Sequence, residues 1–179
     1  VVGLGHAGCE AAIAAARLGA KVLAVSLNLD NIALMPCNPA VGGPAKSCLT
    51  REVDALGGIM GVAADATYMQ MKMLNSSKGP AVRALRAQSD KKEYSAFVRN
   101  LLESEENIQL KQCTCSELMV ENGKIVGMKD EFGLEYFAPA IVLTTGTSLE
   151  AKIWVGLQSQ QFGRLGEVSA KGLSASLEK

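Results

Sequence analysis

The chain has no excess of charge of either sign. Its 18 Lys and Arg balance 18 Asp and Glu, so no global field draws in nucleic acid or a membrane surface, and any such partner has to be held by a local patch. Long apolar runs are missing too. Segments 11–16 and 140–143 fall far short of the roughly 18 residues of a membrane span, which leads to the expectation of a soluble chain. There is one His, and the five cysteines (Cys9, Cys37, Cys48, Cys113, Cys115) contain no Cys-x-x-Cys pair. That argues against a zinc ribbon, a metal site or a disulfide framework and points to a reducing compartment. Aromatic residues make up only 4%, and none interleaves with the basic residues to suggest base stacking. No repeat, low-complexity linker or signal peptide is visible. The sequence opens on Val1 and stops at Lys179 inside a helix-like stretch; the expectation is a piece of a longer protein, incomplete at both ends.

What is there is a globular composition, 48% hydrophobic over 179 residues, sized for one domain spanning 1–179. Val1-Val2 reads as the end of a buried strand, 8–18 as an Ala-rich helix stopped by Gly19, and 21–26 as a second strand. This β, glycine turn, α, β order opens a doubly wound parallel sheet, and the fold class is α/β. Segment 28–50, with Pro36, Pro39, Gly42, Gly43 and Pro44, reads as a shaped loop with neither helix nor central strand. A short helix is expected over 52–56, a longer one over 90–103 with Tyr94, Phe97, Val98, Leu101 and Leu102 inward, and a parallel strand over 108–110. A β-hairpin insertion follows at 115–138, turning at Asn122-Gly123 and near Gly133. Strand 141–144 then returns to the parent sheet and delivers Thr145-Gly146-Thr147 at its C-terminal edge.

Gly3-Leu4-Gly5-His6-Ala7-Gly8 is a G-x-G-x-x-G between a strand and a helix. The first glycine permits the turn, the second lets backbone N–H groups approach a diphosphate, and the third lets helix and strand pack closely. The acid that usually holds a ribose hydroxyl is missing: Ser26 stands at the end of the second strand, with Asp30 further on in the loop. The expectation is that Ser26 or Asn28 contacts the ribose, or that the ribose is held less tightly. The hairpin insertion, followed by a strand and Thr145-Gly146-Thr147, favours a flavin over a nicotinamide cofactor.

Cys37 lies between Pro36 and Pro39, which suits either a positioned nucleophile or an inert thiol. A flavin disulfide reductase would carry a second cysteine five positions on, where Gly42 stands. Lys78, Arg83, Arg86, Lys91 and Lys92 face only Asp90 in their stretch; they suit a phosphate clamp or a solvated helix face equally. His6 reads as a spacer or a flavin contact, and Cys113 and Cys115 as core on one side of a strand.

Together these residues resemble the MnmG/GidA family of flavin-dependent tRNA uridine 5-carboxymethylaminomethyl modification enzymes, in its N-terminal part. The resemblance rests on the blocks at 5–12 (GHAGCEAA), 37–43 (CNPAVGG), 52–58 (EVDALGG), 77–83 (SKGPAVR), 86–88 (RAQ) and Gly146-Thr147. It implies FAD held at Gly3, Leu4, Gly5, His6, Ala7 and Gly8, a backbone contact from Cys115 near adenine, and a further approach to FAD around Ala170, after 163–166. Cys37 matches the loop cysteine, a candidate catalytic thiol. Two departures are Leu4 for a common Gly and Ala170 for a Ser seen in some members. The resemblance further implies NADH, methylenetetrahydrofolate and an amine donor, a tRNA substrate modified at C5 of the wobble uridine, a GTPase partner of the MnmE type, and a homodimer in the cytoplasm or, in a eukaryote, the mitochondrion. It implies that this segment alone does not complete the reaction. The alternatives are a small-molecule or disulfide oxidoreductase and a non-catalytic nucleotide-binding module.

Overall fold

The structure, a computed structural model, describes residues 1–164 and 167–178. Helix α1 (His6–Arg17) is Ala-rich and therefore a strong helix former. Its buried Cys9, Ala12, Ile13 and Ala16 recur at helical spacing and make one inward face. It ends as the sequence predicts: Gly19 N–H donates to Ala16 O and Ala20 N–H to Ala15 O, with Gly19 in the left-handed region. Strand β1 (Val22–Ser26) follows and pairs in parallel with β5 (Ile108–Gln112). On its other side, Val2 bridges both Val25 and Leu143 in parallel. The return segment 141–144 thus joins the sheet through two bonds, Val2 N–H to Val142 O and Thr144 N–H to Val2 O.

Helix α4 (Lys91–Ser104) covers the same face of this sheet as α1. Asp90 caps it, accepting from the N–H groups of Lys92 and Glu93, and Tyr94, Val98 and Leu102 are its buried stripe, with Phe97 and Leu101 half-buried beside them. The opposite face is covered by the hairpin insertion: β6 (Cys115–Glu121), β7 (Lys124–Asp130) and β8 (Glu135–Phe137), antiparallel in that order. The turn between the first two is at Asn122 and Gly123, both with positive φ. Val2, Val25, Cys113, Cys115 and Met128 pack there with Leu173 of the short helix α5 (Leu173–Leu177). The two cysteines are core, as expected, although Cys113 lies in the connection before β6.

Segment 28–50 departs from the expected loop. It holds β2 (Ala40–Gly42), and helix α2 (Lys46–Ala55) begins two residues after Pro44, six residues before the expected start. The prolines permit this because Pro39 and Pro44 fall outside both elements, and β2 pairs on one side only, with β4 (Ala84–Ser89). Helix α3 (Met60–Thr67) and strand β3 (Tyr68–Leu74) were not anticipated; β2, β4 and β3 form a second, antiparallel sheet in that order. Its inner residues Val41 and Ala87 join Ala63 and Ala64 of α3 in the same core that buries α1 and α4. Between Leu149 and Ser169, β9 (Ile153–Val155), β10 (Gln158–Gln160), β11 (Phe162–Arg164) and β12 (Glu167–Val168) make two small antiparallel ladders. No helix among the described residues is long and apolar enough to cross a membrane.

Candidate functional site

The four parallel segments end side by side, at Gly3, Ser26, Gln112 and Thr144. Ligands of open parallel sheets bind outside these carboxyl ends, where the following turns converge. Gly3 (φ 96°) turns away from Val2 against the Thr144 backbone; a Cβ there would overlap the Thr144 carbonyl. A Cβ on Gly8 would overlap the Gly3 carbonyl, so the third glycine lets α1 lie on the turn. Around Gly5 the opposite holds, for a Cβ there meets nothing within 4 Å. Gly5 is also the N-cap of α1, with no side-chain cap and no acid in the first turn. The first amides of a twelve-residue helix therefore face open space with the positive end of its dipole, an arrangement that suits a diphosphate.

The other site residues gather at this edge to different degrees. Ser26 ends β1 beside the turn; Gly3 N–H donates to Val25 O, and Ser26 Oγ to Asn28 O at 3.1 Å. Gly146, two residues beyond Thr144, has positive φ and open space where a Cβ would stand. Cys115 opens β6 and is buried behind the sheet. Ala170 is buried, and both its backbone groups are engaged, its N–H with Ser148 O and its carbonyl with Glu150 N–H. Of the expected flavin approach at 163–166, Leu165 and Gly166 lie outside the described residues. Leu4 is core, 3% exposed, and its carbonyl accepts from Ala33 N–H. The His6 ring stands 5.6 Å from that of Tyr94, and burial lowers its pKa against the opposing pull of Glu10.

Two supports of the site escaped the sequence reading. Thr144 Oγ1 lies 2.8 Å from Gly3 O and 3.1 Å from Val2 O, fixing the turn from the neighbouring strand. Glu10 sends its carboxylate to the N–H groups of Ile59 and Met60 and so caps α3 from α1. The Tyr94 ring, inward as expected, is buried beside His6, and its hydroxyl has no hydrogen-bond partner among the described residues. A Thr ending the return strand just before Thr-Gly was the one visible signal.

Cys37 belongs to a second location. Its loop starts from the turn through the Ala33–Leu4 bond and is held at both prolines: Lys91 Nζ donates to Pro36 O at 3.2 Å, and Ser89 N–H to Pro39 O at 2.8 Å. The thiol is exposed and has no hydrogen-bond partner among the described residues. Three other cysteines are buried: Cys9 is pushed up to about 12 and Cys113 to about 11, burial being the main cause in both, and burial also raises Cys115. Of the five thiols, only Cys37 and Cys48 are exposed. The basic cluster is divided. Arg83 Nε donates back to Ser76 O within the β3–β4 loop and Lys91 holds Pro36, while Lys78, Arg86 and Lys92 have no side-chain partner among the described residues. Neither a helix face nor a single clamp describes them.

Comparison with known proteins gives these features a lineage. Residues 1–179 match the family model described as glucose inhibited division protein A. The chain belongs to that family. A relative from a Synechocystis species, named tRNA uridine 5-carboxymethylaminomethyl modification enzyme MnmG, is 53% identical over all of this chain and 28% of its own length. One of the same name from Lactobacillus gasseri is 51% identical, again over 100% of this chain and 28% of that protein. The crystal structure of Aquifex aeolicus GidA superposes with TM-score 0.95 at 48% identity, covering 99% of this chain and 30% of the other. The chain thus spans under a third of the length of these family members. A GidA-related protein from Thermus thermophilus, at 22% identity and TM-score 0.71 over 99% of this chain and 65% of that one, shares the fold. The family match and the Aquifex superposition make the α/β, Rossmann-like reading of the parallel half correct.

Proposed function

We propose that this chain is the FAD-binding part of an enzyme that installs a carboxymethylaminomethyl or aminomethyl group at C5 of the wobble uridine of tRNA. The observation that carries the reading is the uncapped start of α1, open at Gly5 and closed at Gly3 and Gly8, within a chain half-identical to proteins named for that modification. The residues fit the cofactor. Amides of residues 5–8 would hold the diphosphate, Ser26 the ribose, and Gly146 would line the nucleotide; Cys115, buried behind the sheet, and Ala170, buried with both backbone groups engaged, offer it no free polar group. Bound flavin supplies redox chemistry. Cys37, exposed in a loop held at Pro36 and Pro39, is the candidate nucleophile.

The whole protein would also use NADH, methylenetetrahydrofolate and an amine donor, pair with a GTPase of the MnmE type, form a homodimer and work in the cytoplasm, or in the mitochondrion of a eukaryote. A disulfide reductase is disfavoured by Gly42: its φ is 96°, and a Cβ there would overlap the Leu85 carbonyl, so a second redox cysteine cannot be placed at that position without moving the sheet. The test uses the full-length protein. Purified protein should show the visible absorption of oxidised flavin, and its consistent absence refutes the cofactor reading. Cys37→Ser should retain flavin while cellular tRNA loses the modified wobble nucleoside; normal modification removes the catalytic role of the thiol.

A further inference from the structure

The register of the second sheet creates a juxtaposition that the sequence conceals. Lys72 on β3 stands directly opposite Arg86 on β4, and Gln70 directly opposite Gln88. On the far side of β4 the same positions face Gly42 and Ala40 of β2; Lys72 and Gln70 are exposed, and Arg86 and Gln88 half-buried. It is the outward surface. Val41, Leu85, Ala87 and Met71 alternate to the other side, where with Ser47 and Ala64 they line a cleft against α2 and α3.

Two cations opposite each other across a ladder repel and lower the stability of the pairing. Nothing in the chain relieves them. The neighbouring positions on this surface are Gln70, Leu74, Ala84, Gln88, Ala40 and Gly42, without a carboxylate, and neither cationic side chain makes a hydrogen bond or ion pair among the described residues. A repulsive pair left uncompensated on an open sheet is the arrangement expected where the compensating anion is a ligand. Two facing glutamine amides beside it offer both donors and acceptors to phosphate oxygens or base edges. Tyr68 lies beyond a register shift, opposite the buried Ser89, and so belongs to the other side of the sheet. Cations flanked by amides in one row match the backbone and exposed base edges of nucleic acid better than a small anion, which would not need the amides. The row also adjoins the candidate thiol: Ala40, opposite Gln88, is three residues from Cys37.

We propose that the outward face of this sheet, centred on Lys72 and Arg86 with Gln70 and Gln88, binds the phosphate backbone of an unpaired stretch of the RNA substrate and leads it to Cys37. The inference rests on the tRNA reading given above and adds the surface that meets the RNA.

The experiment measures binding of a labelled tRNA anticodon stem-loop to the full-length, flavin-loaded protein by fluorescence anisotropy over a range of salt concentrations. Lys72→Gln with Arg86→Gln should weaken binding at least tenfold. The slope of log affinity against log salt should flatten by about 1.4, or about 0.7 for each phosphate contact on a single strand. Flavin content should be unchanged, and the urea unfolding midpoint equal to or above that of the unaltered protein, because a repulsion has been removed. Lys124→Gln, an exposed cation on the hairpin, is the control and should change nothing. Unchanged affinity and slope in the double variant overturn the assignment. So does an equal loss in the Lys124 control, since RNA then responds to total charge, and so does a lowered unfolding midpoint, since the pair is then structural. If the unaltered protein keeps its flavin but binds no tRNA, the functional reading itself fails and takes this surface with it.

Discussion

Between Gly3 and Gly8 the backbone is fixed by contacts too close for side chains, whereas around Cys37 it is fixed by bonds from Ser89 and Lys91, distant in sequence. The first device is local and leaves the amides of α1 pointing outward. The second is long-range and leaves a thiol outward. Their difference explains why one region announces itself in six residues and the other needs the whole second sheet. Binding a diphosphate asks only for backbone, which glycine exposes. Presenting a side chain at a fixed place asks for a scaffold around it.

The sharpest way to break the comparison lies within the turn itself. Gly8→Ala puts a methyl into the Gly3 carbonyl, which the Thr144 hydroxyl holds in place; we expect a loss of about 3 kcal/mol or more in urea unfolding. Gly5→Ala adds the same methyl to open space and should change stability by no more than about 1 kcal/mol, yet lower the flavin retained on purification. Equal destabilisation by the two variants would show that Gly5 is structural and that the space beside it is not the ligand's.

Next comes the joint between the two regions. The Glu10 carboxylate on α1 accepts from Ile59 and Met60 at the start of α3, which packs under the second sheet. Replacing it with Ala leaves those amides uncapped and should remove about 2 kcal/mol, with Glu10→Gln recovering part. If unfolding is unaffected, the two regions are not coupled through this carboxylate.

A smaller effect on stability, but a specific one on rate, is expected at the Cys37 loop. Lys91→Ala removes an exposed tether to Pro36 and should shift stability by no more than about 0.5 kcal/mol. The loop then holds the thiol less accurately, and tRNA modification by the full-length protein should slow roughly tenfold with flavin content intact. An unchanged rate would mean that the Ser89–Pro39 bond alone positions the loop.

The same contrast governs what was legible in the sequence. The turn, α1 with its glycine stop, β1, α4 with its Asp90 cap and the Asn122-Gly123 hairpin all carry short-range signals, and the structure has them within a few residues. The second sheet carries none. β3 does alternate, Met69, Met71 and Met73 against Gln70 and Lys72, but its methionines stay exposed and the alternation marks no buried face. β2 is three residues wedged between prolines, and it exists because β4 supplies its bonds. The basic cluster misled for the same reason: Lys78 through Lys92 reads as one charged stretch, but a loop, a strand and a helix start divide it, and the partner of Arg86 turned out to be Lys72, outside the stretch.

The hairpin insertion offers the smallest effect, confined to acid. Asp130 is held by Leu134 N–H and Phe132 N–H, each at 2.9 Å to Oδ1, and by the Tyr136 hydroxyl at 3.0 Å to Oδ2. Burial works to raise its pKa, but these donors prevail and the carboxyl lies below its ordinary value; burial and the bond to Asp130 push the Tyr136 phenol up to about 12. A depressed carboxylate stabilises the fold above its unfolded pKa of about 3.9 and loses that contribution as pH falls through the lower folded value. The stability gap between the unaltered protein and Asp130→Asn should therefore stay constant above about pH 5 and close progressively below about pH 4. A gap that persists unchanged into strong acid would show that the site depends on the shape of the side chain and not on its charge, and that this hairpin, like the glycine turn, is held by packing alone.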